Sequence, residues 1–276
     1  MSSTKEHYLA EPIATDFSNE EKARTSINKW VEDQTNSKIK DLIAKNALNS
    51  LTKLVLVNAI HFKGDWDMKF QKDNTYKGDF HVSNDKVVQA DLMFSNEKYP
   101  YLPLKELKAE ALEIPYKGQR LSMVLLLPKK DSSLKDLETA LEKTDINEIL
   151  NKMPRPGRSK VELTLPKFKI ESQLELVDNL KAMGITDMFD ETKADFSDMT
   201  GGENKGLYVS KVVQKAFIEV NEDGAEAAAA TAGIMMMRAM VIVPSFTCDR
   251  PFMFMIRDNL TGVTLFSGHV TDPTSQ

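Results

Sequence analysis

The stretch Glu222 to Pro244 reads EDGAEAAAATAGIMMMRAMVIVP, and the rest of the chain is read from it. It leaves a strong strand pattern, Val209 to Val220 (VSKVVQKAFIEV), and passes Gly224 into a tract from Ala225 to Gly233 that is almost free of side chains. An oily patch, Ile234 to Met237, precedes one cation, Arg238. Ala239 and a second apolar run, Met240 to Val243, then lead to Pro244. Alanine favours helix, so one reading is a short surface helix. Gly224 and Gly233 oppose a settled helix. So few bulky groups tie the tract to any one state that a segment built to change conformation fits the composition equally. Met235, Met236 and Met237 in a row suit no single face of a helix or strand, so at least one should be exposed.

The chain around it has 276 residues, 41% apolar and 28% charged, enough to bury the core of one large domain or two. A net charge of -5 argues against nucleic acid as a partner. The one cysteine, Cys248, permits no intrachain disulfide and reads as a small packed side chain beside a strand. No run of about 18 apolar residues is present to span a membrane. The opening MSSTKEHYLAEP lacks the apolar core of a signal peptide.

Ile13 to Phe17, after Pro12, suits a brief edge strand. Ser18 or Asn19 followed by Glu20 and Glu21 starts a helix over Ala23, Ile27, Trp30 and Val31, ending near Thr35 to Ser37. Ile39 to Leu48 reads as a second short helix. Leu54 to Phe62 (LVLVNAIHF) is apolar on both faces and predicts a central strand, closed by a turn at Lys63, Gly64 and Asp65 before Trp66. Strands then dominate: Lys77 to Val82, Val87 to Met93, Tyr99 to Leu104, Ala111 to Tyr116 and Leu121 to Leu127, with a hairpin turn at Lys117 to Gln119. Ser132 or Ser133 caps a helix over Leu134, Leu137 and Leu141, and Asp145 starts another over Ile146 and Leu150. Pro166 inside Val161 to Ile170 should bend that strand or move it between sheets. Leu174 to Met183 is helical and closes at Gly184. Pro251 to Arg257 and Val263 to Val270 form a last hairpin. With no repeat and no Gly/Ser/Pro-rich linker, the class is mixed α+β with much antiparallel sheet, and 1–276 is read as one domain.

Constellations for catalysis are thin. None of His7, His61, His81 and His269 has metal-ligand spacing to another His, Cys or acid, and His61 reads as a sheet-face residue. There is no GxSxG elbow, phosphate-cradling Gly loop or CxxC, and nothing implies a cofactor. Asn259-Leu260-Thr261 fits a glycosylation acceptor but lies where a hairpin turn wants Asn.

From about His7 onward the chain resembles a serpin, the serine protease inhibitor family. The residues that carry this are Asn58 to Trp66 (NAIHFKGDW), Lys215 to Glu222 (KAFIEVNE), Gly224 to Thr231, Asp249 to Phe252 (DRPF) and Phe266 to Val270 (FSGHV). The resemblance implies a large, mostly antiparallel sheet A, sheets B and C, surrounding helices and an exposed reactive-centre loop. It also implies that the family's N-terminal helices and one strand of sheet A have no counterpart here. It makes 222–244 hinge and loop, with Glu222, Gly224, Ala225, Glu226, Ala227, Ala228, Ala229, Ala230 and Thr231 as the hinge. Asn58, Trp66 and Gln214 fall in the sheet-opening region, with Gln214 where many members carry His.

In such a protein a target protease attacks the loop and forms an acyl-enzyme. The cut loop then enters sheet A as a new strand. About 15 residues at about 3.3 Å make roughly 50 Å of strand. Residues on the core face must be small and uncharged, and Ala225, Ala227, Ala229 and Thr231 meet that demand while Glu226 takes the opposite parity. In the family the residue offered to the protease's primary pocket usually lies 16 positions after the hinge acid. Counting from Glu222 gives Arg238, and Arg238-Ala239 as the bond cut. An arginine there suits the carboxylate-based pocket of a trypsin-like protease. Met235, Met236, Met237 and Met240 would line the contact. A one-residue shift to Met237 or Ala239 would favour chymotrypsin-like or elastase-like enzymes instead. The expectation is a monomeric inhibitor rather than an enzyme. It would be extracellular by resemblance, while the missing signal also fits an intracellular site.

Overall fold

The structure is a computed structural model and describes residues 12–155, 157, 160–200, 202, 206–223 and 243–275. The chain divides into two compact units, Met1–Phe62 with Ile170–Ile218, and Lys63–Lys169 with Glu219–Gln276.

In the first unit, helix α1 (Glu20–Gln34) starts where the sequence marks it. The Asn19 side chain accepts from the Lys22 N–H, and Glu20 and Glu21 sit in the first turn, at the positive end of the helix dipole. Ala23 and Val31 are buried, but Trp30 of the apolar set is 44% exposed and the polar Asn28 is buried in its place. The reason lies in the next segment. Residues 39–48 are turns and bends rather than the expected helix. Asn28 satisfies that backbone directly, donating to the Ile43 carbonyl at 2.9 Å and accepting the Ile43 N–H at 2.7 Å. Thr35 likewise accepts the Ile39 N–H at 3.1 Å. Ile39, Leu42, Ile43 and Leu48 are still buried, so helix-like spacing arises here without a helix. Left-handed φ values at Asn36, Ser37, Asp41 and Asn46 break the helical path. Ile13 to Phe17 forms no strand either; Ile13 is 63% exposed.

The sheet of this unit has the order β1-β9-β8, from β1 (Leu54–Phe62), β8 (Phe168–Glu175) and β9 (Val209–Val220). Strand β1, expected at a sheet centre, is its edge among the described residues, and it pairs with β9 in parallel. Val55, Val57, Ala59 and Phe217 pack on a cluster made by Ala23, Val31, Ile39, Leu42, Ile43, Leu48 and Val213.

The second unit holds two sheets. One runs β10-β7-β3-β2, from β2 (Thr75–Ser83), β3 (Lys86–Lys98), β7 (Lys160–Pro166) and β10 (Ser245–Thr247). The other runs β12-β11-β6-β5-β4, from β4 (Tyr101–Leu104), β5 (Ala109–Pro115), β6 (Leu121–Pro128), β11 (Phe252–Asp258) and β12 (Thr264–Val270). Pairings here are antiparallel except β7 with β10. The β5–β6 turn runs through residues 117–120 between Tyr116 and Leu121, with Gly118 at φ +82° and Gln119 at +57°, left-handed values that Gly118 adopts at no steric cost. Pro166 ends β7, and β8 begins two residues on in a different sheet, as its position predicts. Helices α2 (Leu134–Leu141) and α3 (Ile146–Leu150) are capped by Ser133 and Asp145 and set Leu137 and Leu150 against Ala111, Val124, Leu126 and Met255. The later helix, α4 (Val177–Ala182), starts three residues after its expected onset because β8 carries Leu174 and Glu175. It closes at Gly184, φ +92°.

Candidate functional site

Two places gather the residues of interest: the end of β9, and the seam between β1 and β9. At the strand end, the Trp66 indole N–H donates to the Asn221 carbonyl at 2.9 Å. Trp66 is 2% exposed, stacked on Tyr116 at 4.5 Å between centroids and edge-on to Phe70 at 6.3 Å. The Phe70 N–H reaches the Glu222 carbonyl at 3.1 Å. Burial pushes the Tyr116 phenol well above its ordinary pKa, which keeps it neutral against the indole.

The Glu222 carboxylate is 6% exposed and fully engaged. Thr75 donates to Oε1 at 2.9 Å, and Lys167 Nζ sits 3.0 Å from Oε2. Burial alone would raise its pKa. Hydrogen bonds from its own backbone, Lys167 and Thr75 outweigh that and hold it below the usual value. Asp223 is paired to Lys72 at 3.1 Å and Lys69 at 3.7 Å, and the hydrogen bond from Lys72 leads in lowering its pKa. Glu222 and Asp223, where the described segment ends, are thus held by side chains from two stretches, Lys69 to Thr75 and Lys167. Lys69, Lys72, Thr75 and Lys167 were not legible as partners in the sequence. Pro166, beside Lys167, was the only local marker.

At the seam, Asn58 and Gln214 are direct partners in the parallel β1–β9 register. Neither side-chain amide has a hydrogen-bond partner among the described residues, so no side-chain bond locks the two strands there. The segment below is fastened to the β9–β8 side. Lys215, 6% exposed, donates to the Lys40 carbonyl at 2.7 Å and pairs with Glu171 at 2.6 Å. Gln173 donates to the Leu42 carbonyl at 3.0 Å. His61 stands edge-on to Phe217 at 5.4 Å, a sheet-face role as expected.

Gly224, Ala225, Glu226, Ala227, Ala228, Ala229, Ala230, Thr231, Met235, Met236, Met237, Arg238, Ala239 and Met240 lie outside the described residues. The described chain resumes at Val243, and the Pro244 carbonyl accepts the Glu162 N–H at 2.9 Å where β10 joins β7. Asn259 spends its amide in the last hairpin, donating to the Gln119 carbonyl at 3.2 Å and accepting from Ser122 at 3.0 Å. Cys248 is fully buried, which raises its thiol pKa and keeps it protonated. Among the described residues no group of three or more His, Cys, Asp or Glu could hold a metal, and no helix is long and apolar enough to cross a membrane.

Comparison with known proteins assigns this geometry. The family model described as "Serpin (serine protease inhibitor)" matches residues 1–273. The chain belongs to the serpin family. Human leukocyte elastase inhibitor is 40% identical over 278 residues, covering 98% of this chain and 72% of that protein. Serpin B6 of Macaca fascicularis is 40% identical over 272 residues, with coverages of 98% and 71%. Among solved structures, Serpin48 of the insect Tenebrio molitor superposes with a TM-score of 0.82 at 35% identity, covering 98% of this serpin and 70% of that chain. Thyroxine-binding globulin in complex with thyroxine gives 0.84 at 32% identity, with coverages of 99% and 71%. The α+β arrangement of three sheets with few helices is therefore the serpin fold, and this serpin belongs with protease inhibitors rather than enzymes.

Proposed function

We propose that this serpin is a suicide inhibitor of trypsin-like serine proteases, with residues 222–244 as hinge and reactive-centre loop of a single serpin domain. Arg238 carries the reading: it is the only Lys or Arg between Glu222 and Pro244. The protease serine oxygen attacks the Arg238 carbonyl carbon, and the bond to the Ala239 nitrogen breaks. Ala239 leaves as an amine bearing the proton drawn from the serine, and an ester joins Arg238 to the protease. Insertion of the freed tract between β1 and β9 then forms a new ladder and buries apolar area. Three features support it: small residues at Ala225, Ala227, Ala229 and Thr231, a firm anchor at Glu222, and a seam at Asn58 and Gln214 free of side-chain bonds.

Mixing the protein with trypsin should give a complex that survives SDS and release a peptide whose sequence begins at Ala239. Cleavage by trypsin that leaves the enzyme free and fully active would refute inhibition. Relatives named leukocyte elastase inhibitor favour a second register. A complex with a chymotrypsin-like or elastase-like enzyme, and a released peptide beginning at Arg238 or Met240, would select Met237 or Ala239 as the residue cut. The thyroxine-binding relative motivates a third reading, a scaffold that binds without inhibiting. Cleavage without complex and without thermal gain would select it.

A further inference from the structure

The second unit holds a cavity of about 640 Å³ that uses none of the residues assigned to hinge, seam or loop. Five pieces of chain meet around it: the β2–β3 turn, the end of β6, the cap of α2, the β10–β11 connection and the residue after β12. The chain as a whole carries a net charge of -5, yet these walls carry Lys130, Lys135 and Arg250 against a single carboxylate, Asp249. The local sign is thus opposite to that of the molecule.

The one carboxylate is already engaged, since Arg250 Nη1 donates to Asp249 Oδ1 at 2.6 Å. Arg250 Nε donates to the Pro128 carbonyl at 2.9 Å, which fixes the guanidinium and leaves Nη2 without a hydrogen bond among the described residues. Lys130 and Lys135 are exposed, and neither pairs with an acid among the described residues. Asp136, next to Lys135, spends its carboxylate on the Ser133 N–H at 3.0 Å and the Ser133 hydroxyl at 2.7 Å. The hydroxyls of Ser132 and Thr271 also line the cavity and make no hydrogen bond among the described residues.

Three cations and two free hydroxyls with no free carboxylate suit an oxyanion, and exclude a cationic ligand. The volume falls within the range of about 300–1,000 Å³ usual for small-molecule sites and exceeds what one phosphate fills. We propose that this cavity binds a small molecule bearing two or more phosphate groups, held by Lys130, Lys135 and the Nη2 of Arg250.

Isothermal titration calorimetry of the intact chain with pyrophosphate, at about 0.15 M salt to screen loose surface charge, should show one site per chain. Orthophosphate, which offers a single group, should bind about tenfold more weakly or worse. Lys130→Ala and Lys135→Ala should each weaken pyrophosphate binding by about tenfold, the loss expected for one charge-assisted hydrogen bond. Both side chains are exposed, so circular dichroism should show both variants folded. Lys143→Ala, an exposed lysine outside the cavity, should leave binding unchanged. Saturating pyrophosphate should also raise the Tm of the wild type and not that of the variant lacking both lysines. Absence of heat and of a Tm shift at millimolar pyrophosphate, binding indifferent to Lys130→Ala and Lys135→Ala, or an equal loss in Lys143→Ala would each overturn the proposal. The trypsin complex should form with Lys130→Ala as with the wild type, so this proposal and the inhibitory one fail separately.

Discussion

Glu222 fixes the end of β9, where the proposed insertion would begin. Its carboxylate joins the end of β9 to the start of β2 through Thr75 and to the β7–β8 corner through Lys167. Glu222→Gln keeps the shape and removes the charge that Lys167 meets. A loss of about 1–3 kcal/mol is expected, read as a fall in Tm of several degrees. The gap between wild type and variant should depend on pH in a definite direction. The folded pKa lies below the free glutamate value of about 4.3, so the stabilisation is complete above that value. It disappears as pH falls through the folded pKa. Thermal melts of both proteins from neutral to acid should therefore converge; a gap that widens in acid would contradict the assignment.

Among the elements, α1 and the irregular segment after it form a cover for β1 and β9, held by a polar side chain that periodicity does not reveal. Asn28→Ala would strand the N–H and carbonyl of Ile43 in a buried setting. Urea unfolding should show a loss of about 1–3 kcal/mol. Replacing exposed Trp30 by alanine on the same helix should change stability far less, by within about 0.5 kcal/mol. The proposed insertion of the alanine tract carries its own test. Ala229→Glu puts a carboxylate on the face that must enter the sheet, which opposes insertion by several kcal/mol. Trypsin should still cut this variant but escape from it, so the SDS-stable band should fall while the released peptide persists. An undiminished band would mean that the tract does not insert with that parity.

For the whole molecule, the function proposed is a difference between two states of one chain. A serpin whose cut loop inserts gains a strand's worth of hydrogen bonds and buried contacts, so its melting temperature should rise after cleavage at Arg238-Ala239. A melt unchanged or lowered by cleavage would mark a loop that stays outside the sheet. Most elements behind this were legible locally. The capped helices at Asn19, Ser133 and Asp145, the positive-φ turn at Gly118 and the switch at Pro166 each rest on chemistry confined to a few neighbouring residues. Residues 39–48 were misread because burial at helical spacing was taken for a helix. What holds them is Asn28, 15 residues from Ile43. Among the described residues β1 has a paired neighbour on one side only, which its apolar faces do not specify, since they say that it can be buried and not what flanks it.

By itself, then, the order of residues determined the α+β class, the alanine tract with its lone arginine, and the alternation that makes the tract fit to become a strand. These depend on side-chain size, charge and parity, which are properties of the chain alone. Only the tertiary structure decided that Lys167 and Thr75 grip Glu222, that Asn58 faces Gln214 and that β1 pairs with β9 in parallel. Such contacts join residues up to 156 positions apart, and spacing along a chain does not encode which distant partners folding will bring within hydrogen-bond reach.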